Sequence, residues 1–156
     1  VKEFIFIRGF NMSVSEKAVE LMKSGYLCSQ SVFATLSEEF GLERKLALKI
    51  STGLGAGIAC QGDICGAVSG AILAIGLKHG NHEGLSDPDS QGKTVFLTQE
   101  LIERIIAKHG CYTCKELTGL DFTKPESFKL AEELEIGEKI CFNVIRDTIQ
   151  IVEEIW

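Results

Sequence analysis

The sequence predicts an all-α domain, a compact bundle of about six to eight helices around a buried central helix at about residues 64–78. Three observations lead there. Apolar residues return at helical spacing in most segments, capping residues and glycines stand where such segments should begin and end, and no stretch alternates convincingly. The one candidate strand is Phe4 to Ile7.

The central helix is the clearest element. From Ile64 to Leu77 the only polar side chains are Cys65 and Ser69. That run is shorter than the roughly 18 apolar residues of a bilayer span, so it reads as a helix buried on all sides, and no membrane span is expected. Gly66 and Gly70 lie one turn apart and open that face to another backbone or a ligand. The glycine-rich approach, from Gly53 through Cys60 to Gly62, reads as the mouth of a site.

In chain order, Ser13-Val-Ser-Glu16 fits a capping box, in which the Ser13 hydroxyl and the Glu16 carboxylate each satisfy a backbone N–H. The helix it opens should run to about Lys23, stopped by Gly25. Cys28, Val32, Phe33, Leu36 and Phe40 mark the apolar face of a second helix, which Gly41 ends. Leu42 to Ser51 holds strong helix formers, whereas Gly53, Gly55 and Gly57 leave the next stretch without a definite state. Past the central helix, Lys78 to Gly92 is polar and rich in turn residues, an exposed connection and a candidate lid. Val95, Leu97, Leu101, Ile102, Ile105 and Ile106 restore the helical period up to Gly110. Cys111-Tyr-Thr-Cys114 leads into Lys115 to Thr118. Thr123-Lys-Pro-Glu126 fits a second capping box, for a short helix with Phe128, Ala131 and Leu134 that ends near Gly137. The last helix carries Cys141, Ile145, Thr148, Ile149, Val152 and Trp156 on one stripe. Residues 1–12 are expected to be a poorly ordered N-terminal extension, with Met12 as an alternative start, and residues 13–156 a single helical domain.

At 156 residues and 45% hydrophobic content, the chain can fill one core. Its net charge of −6, with 16 dispersed Lys and Arg, argues against a nucleic-acid surface, which needs clustered cations. Val1 to Arg8 holds four consecutive apolar residues, against the roughly 7–15 of a secretory segment, so a cytoplasmic protein is expected. Six cysteines in such a chain point to metal or redox chemistry rather than to a disulfide scaffold.

Cys28, Cys65, Cys114 and Cys141 each precede or open an expected helix, where unpaired backbone N–H groups favour a thiolate. If the bundle turns those helix starts to one point, the thiolates could carry an iron–sulfur cluster, another soft metal or a redox disulfide. Spacing nominates a different quartet, Cys60-x4-Cys65 with Cys111-x2-Cys114, compatible with tetrahedral zinc. A third reading has Cys111 and Cys114, or Cys60 and Cys65, as an exchangeable dithiol, and a fourth has inert core cysteines. Gly53-x-Gly-x-Gly57 lacks the Lys-Ser/Thr of a phosphate loop. His79, His82 and His109 fall at helix ends or in loops, where compensating the helix dipole is their ordinary role. No catalytic triad or carboxylate pair stands out, so whether the protein is an enzyme stays open.

Cys65-Gly-Ala-Val-Ser-Gly70, with Tyr26-Leu-Cys28-Ser-Gln-Ser-Val upstream and Cys114-Lys-Glu-Leu-Thr-Gly119 and Cys141 downstream, resembles the family of redox-active proteins named for its C, CGAxxG, C, C pattern. The likeness spans Ser15 to Ile149. It implies that the four characteristic cysteines are Cys28, Cys65, Cys114 and Cys141, with Cys60 and Cys111 as accessory thiols. A similar domain accompanies the haem in split-Soret cytochromes, where it holds a 2Fe-2S centre. The resemblance therefore implies a 2Fe-2S or equivalent centre serving electron transfer or redox sensing. Beside it, the expected partners are an unidentified redox partner protein and a second copy of the chain in a homodimer. Cys114 is followed by Lys115, so no Cys-x-x-Cys-His haem attachment is present and covalent haem is not expected. The alternatives remain a thiol-disulfide protein and a zinc-stabilised scaffold.

Overall fold

The computed structural model describes residues 12–156, and among them eight α-helices follow one another without a strand. None of these helices is long and apolar enough to cross a membrane. The extension before Met12 and the strand expected at Phe4 to Ile7 lie outside the described residues; Met12 itself is exposed.

In α1 (Val14–Lys23) the Ser13 hydroxyl accepts the Glu16 N–H at 3.3 Å. The reciprocal half of the expected capping box does not form, because Arg146 takes the Glu16 carboxylate, Nε to Oε1 at 2.6 Å and Nη2 to Oε2 at 3.3 Å. A two-pronged guanidinium contact is stronger than one backbone N–H. It also holds the Glu16 carboxyl below its usual range and ties α1 to the end of the chain. Next, α2 (Cys28–Ser37) runs on through a 3-10 turn to Phe40, and Gly41 ends it at φ 70°. The helix formers after Leu42 settle as α3 (Arg44–Ser51).

The central helix is α4 (Gly66–His79), which begins just after Cys65, its N-cap. Ala67, Val68, Ala71, Ala74 and Ile75 are all buried. Burial on all sides does not extend beyond Ala71: Ile72 and Leu73 are half-buried and Leu77 is 41% exposed, where the neighbouring helices leave one side uncovered. The closest crossing is with α2. A Cβ on Gly70 would stand 2.7 Å from the Ser29 carbonyl oxygen and 3.3 Å from the Phe33 nitrogen, so the two backbones touch and only glycine fits. Val32, Val68, Ile75, Ile145 and Ile149 share the core that α2 and α4 form with α8 (Phe142–Ile155). Each such side chain contributes about 1.5–3 kcal/mol by leaving water.

Between these elements the boundaries shift for local reasons. The long helix α5 (Pro88–His109) starts at Pro88 rather than near Val95, because Asp87 accepts the Ser90 N–H at 3.2 Å and Pro88 fills the first position. Residues that read as a loop are here a helix start. Gly110, at φ 80°, closes it. Two short helices follow, α6 (Cys114–Thr118) and α7 (Glu126–Glu133). The second capping box is absent, since the Thr123 hydroxyl donates to Asp121 Oδ1 at 2.6 Å instead. After Glu135, at φ 54°, a π turn over Gly137–Cys141 runs directly into α8.

Candidate functional site

The glycine-rich approach to α4 folds as a left-handed loop. Ala56, Gly57, Ile58, Ala59 and Cys60 all have φ between 48° and 72°, and four of the five are not glycine. Each such residue costs about 1–2 kcal/mol, so the loop persists only because its surroundings fix it. They do so with backbone bonds from Ala59 N–H to Gly53 O (2.9 Å), Gly62 N–H to Ala56 O (3.3 Å) and Asp63 N–H to Gly57 O (3.0 Å). Gly57 is required here: a Cβ would lie 2.5 Å from the Asp63 nitrogen.

The loop then clasps the entry to α6. Ile64 and Thr113 form an isolated antiparallel bridge, Cys65 N–H donates to Tyr112 O at 2.9 Å, and Cys114 N–H donates to Asp63 O at 2.8 Å. Lys115 N–H reaches Gly62 O at 3.1 Å. These bonds hold Cys65 and Cys114 on neighbouring stretches although 49 positions separate them (114 − 65).

Cys28 is brought in by α2. Its neighbours anchor that first turn to α3: the Ser29 hydroxyl donates to Ser51 O at 2.8 Å, and Gln30 Nε2 donates to Leu48 O at 3.0 Å while Gln30 Oε1 accepts the Leu27 N–H at 3.0 Å. The consequence is close packing of sulfur on α4. A Cβ on Gly66 would stand 2.3 Å from Cys28 Sγ and 3.0 Å from the Ser29 nitrogen. Glycine after Cys65 is thus what makes room for the Cys28 sulfur.

All six cysteines are free thiols. Cys28 is the common neighbour, because charge on it raises the pKa of Cys65, Cys114 and Cys141 alike. Burial is nonetheless the leading cause at every one of them. It pushes Cys28 up, against the pull of the backbone amides of Ala56, Ser29, Cys28 and Gly66, and it pushes Cys65 well up against those of Ala67 and Val68. Cys114 rises to about 11, where burial and the Cys28 and Cys60 thiols outweigh the Thr118 hydroxyl. Cys141 rises to about 12 by burial and by Cys28 and Cys114. The expectation that helix starts would favour thiolates is therefore corrected. Backbone donors are present at Cys28 and Cys65, but the cost of taking charge out of water outweighs them.

Cys141 departs further from expectation. It lies inside a continuous helical path, and the Phe142 N–H already bonds Gly137 O, so no open helix start faces its sulfur. It ends the π turn and lines a cavity with Cys28 and Cys114. Cys60 lies at the edge of the group, raising Cys114 alone among the four. Cys111 is apart: its sulfur contacts His109 O at 3.8 Å, and burial and Glu116 raise its pKa. Among the described residues, no three Cys, His, Asp or Glu side chains already stand around one point at ligating distance. Charge on Cys28 and on Cys114 is nonetheless felt at both Cys65 and Cys141.

Cys28, Cys114 and Cys141 line a cavity of about 660 Å³, and Cys65 lies behind it against Cys28. Sequence reasoning missed most of its wall. Phe122, Phe128 and Phe142 face it from the connection before α7, from α7 and from α8, and Glu132, Glu135 and Glu138 come from α7 and the turns after it. In the sequence, Phe128 reads only as part of the apolar face of α7.

No curated protein and no solved structure matches the chain. Residues 26–155 match the model of one family, described as "Putative redox-active protein (C_GCAxxG_C_C)". The match spans all six cysteines and the whole of the cavity wall from Tyr26 onward. The chain belongs to that redox-active family.

Proposed function

We propose that Cys28, Cys65, Cys114 and Cys141 together hold a 2Fe-2S or equivalent soft-metal centre that serves electron transfer or redox sensing. The observation that supports this reading is the packing of Cys28 Sγ into the notch of Gly66, next to Cys65, together with the charge on Cys28 that raises the pKa of Cys65, Cys114 and Cys141. The donor set fits such a group. It is all sulfur, as soft metals prefer, and the amides of Ala56 and Gly66 at Cys28, and of Ala67 and Val68 at Cys65, can stabilise sulfur that has lost its proton. When bound, a cluster would supply one-electron chemistry at the cavity wall. The protein's own part is to keep the sulfurs together, to exclude water behind them, and to leave one side open to the cavity. The 2Fe-2S type in particular rests on the likeness to the split-Soret domain.

Two features weigh against the alternatives. Thiols that hold their protons above pH 9 are slow to attack disulfides, which disfavours an exchange role for Cys114. A structural zinc site needs four ligands around one point, and Cys111, which the quartet nominated by spacing requires, stands apart from the other thiols. Anaerobic purification followed by metal and sulfide analysis and an ultraviolet-visible spectrum tests the proposal. The wild type should carry about two irons and two labile sulfides per chain with visible absorption, and Cys65→Ala should lose both. A colourless wild type without iron or sulfide would overturn it, and stoichiometric zinc would favour the scaffold reading.

A further inference from the structure

We infer that the cavity in front of the cysteines is a binding site for a small planar aromatic cation. Its volume of about 660 Å³ is in the range of organic-ligand sites, roughly 300–1,000 Å³, and far exceeds what a lone metal ion occupies. The walls are aromatic: Tyr26, Phe122, Phe128 and Phe142 all face it, and Phe122 packs on Phe128 with ring centroids 5.2 Å apart. Rings arranged in this way receive a flat molecule by stacking and a cation through their faces. Phe142 already attracts one cation, since Lys23 Nζ lies 5.7 Å from its centroid.

The charge lining the cavity has one sign. Glu132, Glu135 and Glu138 are its only charged residues, and no Lys, Arg or His among the described residues lines it. Lys139 pairs with Glu135 at 2.8 Å, and Lys23 is itself bound to Glu20 at 2.8 Å. Glu132 and Glu138 form no ion pair among the described residues, so the rim stays acidic. An anionic aromatic molecule would meet repulsion there, and a cationic one attraction focused by the apolar walls. The ligand would lie against Cys28, Cys114 and Cys141, the three sulfurs on the same cavity.

This inference goes beyond the metal reading and does not require it. The test uses two aromatic dyes of opposite charge, cationic thioflavin T and anionic 8-anilinonaphthalene-1-sulfonate, titrated by fluorescence into the full chain. Thioflavin T should bind one per chain, at least about tenfold more tightly than the anionic dye. The Glu132→Gln/Glu138→Gln variant, altered only at exposed positions, should weaken thioflavin T about tenfold, and Phe122→Ala should weaken it as well. No binding of thioflavin T, equal binding of both dyes, or an unchanged affinity in the double variant would each overturn the inference. Iron and sulfide measured on the same preparation test the metal reading separately.

Discussion

At the scale of single residues, the site depends on where a Cβ is missing. Gly66 and Gly76 lie on the same helix, yet a methyl group at the first would collide with Cys28 Sγ at 2.3 Å, whereas at the second nothing lies within 4 Å. Gly66→Ala should therefore cost about 1–3 kcal/mol in urea unfolding and abolish metal loading, as the Cys28 sulfur is pushed from its place. Gly76→Ala should stabilise the protein by about 0.5–1 kcal/mol and leave loading intact, because alanine only lowers the cost of forming the helix. Equal behaviour of the two variants would show that the notch has no special role. The importance of Gly66 and Gly70 was legible in the sequence from their one-turn spacing. That the partner at Gly66 is a sulfur was not, since it arrives from 38 positions away (66 − 28).

At the scale of elements, five-residue α6 presents Cys114 and cannot be stable alone. It is held by its cap, in which the Thr113 hydroxyl accepts the Glu116 N–H at 3.3 Å, and by the clasp to Asp63 and Gly62. Thr113→Ala should lower stability by about 1 kcal/mol in a denaturant titration. It should also speed alkylation of Cys114 while leaving that of Cys111 unchanged. The sequence displayed α1, α2, α4 and α8 through their apolar periods, which arise from contact with one core. It hid the left-handed loop, because Ala56, Ile58, Ala59 and Cys60 have side chains that normally avoid positive φ and only tertiary bonds hold them there. It also misplaced the start of α5, the Glu16 half of the first capping box and the whole of the second. Asp87 acts as a helix cap in a stretch that composition marks as loop, while Arg146 and Asp121 draw off side chains that a local rule assigns to their own backbone.

At the scale of the whole molecule, the crowded thiols make stability depend on pH. In the unfolded chain a cysteine loses its proton near pH 9.0, whereas folded Cys114 and Cys141 hold theirs to about 11 and about 12. Between those values the folded state binds more protons, so stability is full below pH 9 and falls as pH rises toward 11–12. For metal-free protein, denaturant midpoints should decline over that window with a slope of up to about 1.4 kcal/mol per pH unit for each thiol. Metal-loaded protein should lack this decline, since bound sulfurs have already given up their protons. Replacing Cys141 by alanine should flatten the curve, and an unaltered slope would mean that the buried thiols do not govern it.

The most direct measurement is the metal and labile-sulfide content of anaerobically prepared protein in which each of the six cysteines is changed to serine in turn. Loss of the centre on changing Cys28, Cys65, Cys114 or Cys141, with retention on changing Cys60 or Cys111, is the pattern predicted by the shared neighbourhood of the first four. Loss confined to Cys60, Cys65, Cys111 and Cys114 would contradict it and assign the metal to the quartet nominated by spacing.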